Sequence, residues 1–103
     1  MAIKKTFSQD KKVCRVNFTL PKEVCENFQE VSVVGDFNGW DPGENKFSQK
    51  NSDGSSSIEI VFDSGKEYQF RYLCDGHIWL NEPDADKEKL TYFGNAKNSV
   101  LVL

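Results

Sequence analysis

The sequence has few of the residues that nucleic-acid-binding and metal-dependent proteins need. It has 103 residues with a single histidine, and its formal net charge is -3 at pH 7. Without an excess of basic residues there is no positive field to hold a phosphate backbone, so we expect no nucleic-acid partner. With one histidine and no C-x-x-C pair, no pattern in the sequence indicates a histidine–cysteine metal set or a serine triad. We therefore expect no metal site.

Long apolar runs and paired cysteines are also missing. The first ten residues, MAIKKTFSQD, lack the apolar segment of a signal peptide, and no later segment approaches the roughly 20 apolar residues of a membrane span. The three cysteines, Cys14, Cys25 and Cys74, leave one thiol unpaired in any disulfide scheme, which favours a reducing compartment with buried thiols. These absences predict a cytoplasmic protein without a membrane partner.

Signals for catalysis or for a bound cofactor are weak. The glycines form neither G-x-G-x-x-G nor a P-loop, so nothing favours phosphate binding by a glycine-rich loop. A glycosidase needs two carboxylates held apart in a cleft. Here the acids cluster in one segment, which we interpret as a solvated charged loop over 81–89: Glu82, Asp84, Asp86 and Glu88. We expect no catalytic residue and no cofactor.

Alternating apolar residues, in contrast, are plentiful. Cys14, Val16, Phe18 and Leu20 share one face of a predicted strand, and Pro21 begins a short helical turn. Further alternating segments are separated by Gly, Asp, Asn and Ser turns, and no linker or long helix interrupts them. About seven to eight short strands of this kind predict an all-β protein with an immunoglobulin-like β-sandwich of the early set type. We expect a single domain over residues 1–103.

One turn, VVGDFNGWDPG, places a tryptophan among residues that normally face water. A turn so tight can hardly bury Trp40 on both faces, so a half-exposed indole is predicted. Trp79 follows the Asp75-Gly76 hairpin turn, and Arg71 lies on the strand that leads into it, so all three side chains can converge. Phe37 and Asn38 are interpreted as structural, the first as a core plug and the second as a turn former.

Convergent aromatic and polar side chains suit a sugar. A pyranose has a flat apolar C–H face that stacks on an indole and a rim of hydroxyls that needs fixed donors and acceptors. Arg71, Asn95, Lys97 and Asn98 can supply such groups. The alternative is that Trp40 plugs one end of the sandwich and Trp79 packs against the charged loop.

Three segments carry a family resemblance: VVGDFNGWDP, then GKEYQFRYLCDGHIWLNEPDAD, then FGNAKNSVLVL. From about Lys12 to Leu103 the chain resembles carbohydrate-binding module family 48. That family includes the glycogen-binding domain of the AMP-activated protein kinase beta subunit and the N-terminal early set domain of isoamylases and branching enzymes. The resemblance implies an immunoglobulin-like sandwich that binds α-1,4-linked glucan, such as glycogen, starch or malto-oligosaccharide, without catalysis.

The resemblance also assigns roles to positions. Trp40 and Trp79 match the two stacking tryptophans, and Arg71 matches a basic strand residue that bonds hydroxyls. Phe93 falls at an apolar loop position that reaches into the sugar, Asn95 at a hydroxyl-bearing position, and the Lys97-Asn98 pair where the kinase domain has two asparagines. The implied partner is α-glucan, with a separately encoded glucan-active enzyme as a further candidate.

Alternative functions remain open at this level. Some members of the family have lost sugar binding, so a protein-interaction or regulatory module with the same sandwich is the runner-up hypothesis. In multidomain enzymes the module accompanies a catalytic barrel. A glycoside hydrolase family 13 label would therefore be inherited from the family and not from residues of this chain.

Overall fold

The computed structural model describes residues 1–91 and 96–103, and it folds them almost entirely into antiparallel strands. One short helix, α1, follows the second strand, as the proline at its start predicts. The elements in chain order are β1 Ala2–Phe7, β2 Val13–Leu20, α1 Lys22–Asn27, β3 Val31–Gly35, β4 Gln49–Lys50, β5 Ser56–Asp63, β6 Glu67–Cys74, β7 Ile78–Leu80, β8 Lys87–Leu90 and β9 Lys97–Val102.

The strands form two sheets that pack as an immunoglobulin-like β-sandwich, which confirms the predicted fold class. The four-stranded sheet has the order β1-β2-β5-β4, and the five-stranded sheet has the order β3-β6-β9-β8 with β7 paired to β6. The inward faces of β2 and β6 meet in the core. The Phe18 ring lies edge-on to Phe70, with centroids 5.6 Å apart, and Phe70 lies edge-on to Tyr72 at 5.9 Å.

The described residues contain nine strands, more than the seven to eight predicted. The segments that the sequence pattern does not reveal are β1, AIKKTF, β4, QK, and β8, KEKL, of which the last lies mostly within the segment predicted as a charged loop. All three are strands at the edges of their sheets and have no fully buried residue, so none carries a buried apolar face. Their backbones pair although most of their side chains are exposed; Ile3 and Lys5 of β1 are half-buried.

Glu82 corrects the prediction of a solvated acidic loop. Its side chain is only 2% exposed, and the carboxylate accepts hydrogen bonds from the Tyr72 hydroxyl at 2.6 Å and from the backbone N–H of Asp84 at 2.9 Å. A carboxylate with two donors can be buried, whereas one without donors could not. Burial, reinforced by the nearby carboxylate, raises the pKa of Tyr72, so its hydroxyl stays protonated and donates.

The turn after β3 is fixed by side-chain and backbone hydrogen bonds. The Asn38 amide oxygen accepts from the N–H of Gly35, and its nitrogen donates to the carbonyl of Val33, both at 3.0 Å. The Phe37 ring lies 4.8 Å from that of Phe62 in the sandwich interior. Both residues are therefore structural, as the sequence indicates, and they hold the turn that carries Trp40.

The three cysteines form no disulfide with one another in the structure. Cys14 and Cys74 are buried free thiols, and Cys25 is a partly buried one. Within the described parts of the chain, no helix is long and apolar enough to cross a bilayer.

Candidate binding groove

The candidate site lies on the outer face of the five-stranded sheet. Successive side chains of a strand point to opposite faces, so Gln69 and Arg71 face outward while Phe70 and Tyr72 enter the core. The strand register extends this outer face to the neighbours. Val34 of β3 pairs with Arg71 of β6, and Trp79 of β7 pairs with Leu73 of β6.

An open groove of about 980 Å³ runs across this face. It combines two indoles with cationic, carboxylate and amide side chains. The described residues that line it are Asp36, Trp40, Gln69, Arg71, Trp79, Lys89, Leu90, Thr91, Ala96 and Asn98.

Trp40 borders the groove in a backbone conformation that is unusual for so large a residue. Its φ is 59°, in the left-handed region, and its N–H donates to the carbonyl of Gly35 at 3.0 Å. That conformation costs a residue with a Cβ about 1–2 kcal/mol. The indole Nε1–H donates to Asp36 Oδ1 at 3.2 Å, and Asp36 Oδ2 accepts the backbone N–H of Gln69 at 2.9 Å. Asp36 thus ties the indole to strand β6.

Trp79 lines the groove from the β6–β7 hairpin. The turn of this hairpin has positive φ at Asp75 and Gly76, 52° and 77°. Trp79 is 47% exposed, and Arg71 Cζ lies 5.6 Å from the centroid of its ring, a cation–π arrangement. The indole therefore has a cation on one side and remains open to solvent.

A chain of hydrogen bonds crosses the sheet beneath the open space. Arg71 Nε donates to Asn98 Oδ1, and Asn98 Nδ2 donates to Gln69 Oε1 at 3.0 Å. Asn98 is 8% exposed, so its amide lies almost entirely out of water. The chain fixes the Arg71 guanidinium in position, while its terminal amino groups have no hydrogen-bond partner among residues 1–91 and 96–103.

The structure brings together four of the seven residues that the sequence analysis names. Trp40, Arg71, Trp79 and Asn98 line the same groove. Lys97 does not line it, and its Nζ lies 3.6 Å from a carboxylate oxygen of Glu88. Alternation along β9 places Lys97 on the opposite side from Asn98, so the expected pair of ligand-binding residues is not formed.

The other two named residues, Phe93 and Asn95, lie outside the described residues. The sugar-binding roles that the resemblance implies for Phe93 and Asn95 therefore stay predictions.

Several groove residues were missed by sequence reasoning. Gln69 precedes Arg71 by two residues on a strand, so alternation alone could have found it. Lys89 was assigned to the charged loop, and no sequence signal indicates that it faces the groove. Asp36 stands among other turn carboxylates, and only the folded turn reveals that it bonds the indole.

The arrangement offers stacking faces and hydrogen-bond donors. Among residues 1–91 and 96–103, no group of three or more histidine, cysteine, aspartate or glutamate side chains is placed to hold a metal ion. The groove can thus hold a ligand that has a flat apolar face and polar edges.

Comparisons of the chain with protein-family models and with curated proteins find no match.

Proposed function

We propose that this protein binds α-1,4-linked glucan, such as glycogen, starch or malto-oligosaccharide, in the groove without acting on it. The observation that carries this proposal is the placement of two indoles, a guanidinium and an amide along one open groove. The apolar C–H face of a glucose ring stacks on an indole, and its hydroxyls accept hydrogen bonds from Arg71 and from the neighbouring amides. The likeness to carbohydrate-binding module family 48 supports α-linked glucose as the sugar.

The backbone of Trp40 supports a binding role for the indole. A residue with a Cβ at φ 59° costs stability, and such strain is concentrated at functional sites. Glycine would occupy this position without that cost. A tryptophan at this position is explained if its indole binds a ligand, because stability alone does not favour it there.

The acids near the groove favour binding over hydrolysis. Among its described lining residues, Asp36 is the one carboxylate, and both of its oxygens already accept a hydrogen bond. Hydrolysis of a glycosidic bond uses two carboxylates flanking the bond. We propose a noncatalytic module in the cytoplasm, where α-glucan and a separately encoded glucan-active enzyme are its partners.

Titration with maltoheptaose tests the proposal. An open groove predicts weak binding, about -6 kcal/mol or tens of micromolar, and saturable quenching or enhancement of tryptophan fluorescence. Cellohexaose, a β-1,4-linked glucan, is the matched control ligand and should bind at least about tenfold more weakly, since its chain presents ring faces differently. Calorimetry should give the same dissociation constant as fluorescence.

Two alanine variants connect the binding to the groove. Trp40→Ala should remove most of the affinity, because it deletes one stacking face. Phe7→Ala is the control, since Phe7 is an exposed aromatic residue on β1 of the other sheet. If the wild-type protein shows no saturable change with any α-glucan, the alternative of a module that docks only protein partners on this face takes its place.

A further inference from the structure

Each side-chain carboxylate and amide oxygen of the groove's described lining already accepts one hydrogen bond. Asp36 Oδ1 and Oδ2 accept from Trp40 and from the backbone of Gln69, and the amide oxygens of Asn98 and Gln69 accept from Arg71 and Asn98. The terminal amino groups of Arg71 and the amide nitrogen of Gln69 have no partner among the described residues. Among these four side chains, the groups without a hydrogen bond to the described residues are therefore N–H donors.

Lys89 adds an uncompensated positive charge to this lining. It pairs in register with Asn98, which places its side chain on the groove face. Two nearby lysines have carboxylate partners: Lys87 Nζ lies 2.9 Å from Glu67, and Lys97 Nζ lies 3.6 Å from Glu88. Lys89 has no ion-pair partner within 1–91 and 96–103. The described lining of the groove therefore has two positive charges, on Arg71 and Lys89, and one negative charge, on Asp36.

This lining fits an anionic acceptor better than a neutral hydroxyl. A sugar hydroxyl donates as well as accepts, and here its proton would share a carboxylate or amide oxygen that already accepts one hydrogen bond. A phosphate monoester carries about -1.5 to -2 charge at pH 7 and three strong acceptor oxygens, and it needs donors only. Arginine forms two parallel hydrogen bonds to such a group, and a lysine beside it supplies a second charge.

We infer that the groove prefers α-glucan that bears a phosphate monoester over the neutral polymer, with Arg71 and Lys89 binding the phosphate. This inference rests on the proposed glucan binding and specifies its ligand. The two indoles would hold the glucan chain, while the two cations distinguish phosphorylated from unphosphorylated glucose units.

Calorimetry with three ligands tests the inference: maltoheptaose carrying one phosphate monoester, neutral maltoheptaose and glucose 6-phosphate. The phosphorylated heptaose should bind about tenfold more tightly than the neutral one, the effect of a hydrogen bond to a charged group. This advantage should shrink when the ionic strength rises from about 0.02 M to about 0.5 M, because salt screens exposed charges. Glucose 6-phosphate alone should bind much more weakly than either heptaose, since it engages one stacking face at most.

Matched lysine variants locate the effect. Lys89→Gln should reduce the ratio of the two heptaose affinities severalfold, and Lys89→Arg should retain it. Lys87→Gln on the same strand removes an equal charge outside the groove and should leave the ratio unchanged.

The possible outcomes separate this inference from the proposal beneath it. Equal affinities for the two heptaoses overturn the phosphate preference and leave glucan binding standing. Absence of binding by both overturns glucan binding itself and the preference with it. An equal loss in Lys87→Gln and Lys89→Gln, or tight binding of glucose 6-phosphate alone, also overturns the inference, because it reveals a diffuse surface field or a plain anion site.

Discussion

The indole N–H of Trp40 donates to the carboxylate of Asp36, four residues earlier, at 3.2 Å. The second oxygen of the same carboxylate accepts the backbone N–H of Gln69 on strand β6. The polar edge of the indole is thus occupied. The turn that carries Trp40 is also tied to the strand that carries Arg71, so the indole and the guanidinium keep a fixed relation.

Removing the Asp36 carboxylate should loosen Trp40 and thereby weaken binding. We expect Asp36→Ala to lower the affinity for maltoheptaose about tenfold, because a hydrogen bond to a charged group is lost and the indole gains freedom. In nitrogen–proton spectra without ligand, the indole N–H signal of Trp40 should shift and its exchange with water should quicken.

Asp41→Ala is the control for this prediction. Asp41 is an acid of the same turn that accepts the N–H of Gly43 at 2.8 Å and does not line the groove. Equal losses of affinity in the two variants would show that Asp36 acts only by shaping the turn. The indole signal provides a second check that does not depend on any sugar.

The strained backbone of Trp40 predicts an unusual order of stabilities. Trp40→Gly should be more stable than Trp40→Ala by about 1 kcal/mol, because glycine adopts positive φ without a Cβ penalty. Gly39 is the mirror control: its φ is 65° and an added Cβ would meet nothing within 4 Å, so Gly39→Ala should cost a similar amount through backbone strain alone. Urea unfolding of the four proteins measures these differences. Equal stability of the glycine and alanine variants would mean that position 40 relaxes out of the left-handed region.

The sequence predicts the parts of this molecule in which a side-chain pattern repeats. Alternation from Cys14 to Leu20 and from Tyr68 to Tyr72 corresponds to β2 and β6, and Arg71 and Trp79 share the groove as their positions around a hairpin turn imply. Strands β1, β4 and β8 escape prediction, because edge strands pair through backbone groups that leave no apolar periodicity.

Individual polar partners are harder to predict than strands. Whether a turn acid faces an indole, as Asp36 does, or whether Glu82 enters the interior depends on groups that are distant along the chain. Lys97 and Asn98 are neighbours in sequence, yet one pairs with Glu88 and the other lines the groove. Their separation follows from side-chain alternation along β9, which begins at Lys97.

The last residue of β3 should tolerate no side chain. A Cβ on Gly35 would lie 2.4 Å from the carbonyl oxygen of Gln69 and 2.8 Å from atoms of Phe37 and Phe70. We expect Gly35→Ala to destabilise the fold by about 3 kcal/mol, at the upper end of overpacking effects. Gly43→Ala meets only the Asp41 side chain at 3.3 Å and should cost much less. Thermal and urea unfolding distinguish them, and comparable losses in both variants would contradict the steric argument.

The buried Tyr72–Glu82 pair should contribute more to stability than a surface hydrogen bond does. In Tyr72→Phe the ring remains in the core, but Glu82 Oε1 loses the hydroxyl donor at 2.6 Å while the carboxylate stays buried. We expect a loss of about 2 kcal/mol in the free energy of unfolding, because the buried carboxylate keeps its desolvation penalty with one donor fewer.

Tyr68→Phe provides the comparison for Tyr72→Phe. Its hydroxyl donates to the backbone carbonyl of Asp63 at 2.8 Å in a partly exposed setting, where water can replace the lost donor. Its loss should be about 0.5–1 kcal/mol. In the double variant Tyr72→Phe with Glu82→Leu, part of the stability should return, since removing both partners removes the buried charge that the single variant leaves without its donor. If the double variant loses as much stability as Tyr72→Phe and the single variant Glu82→Leu lose together, the two groups act independently, and the carboxylate is held by the rest of the 82–86 segment and not by Tyr72.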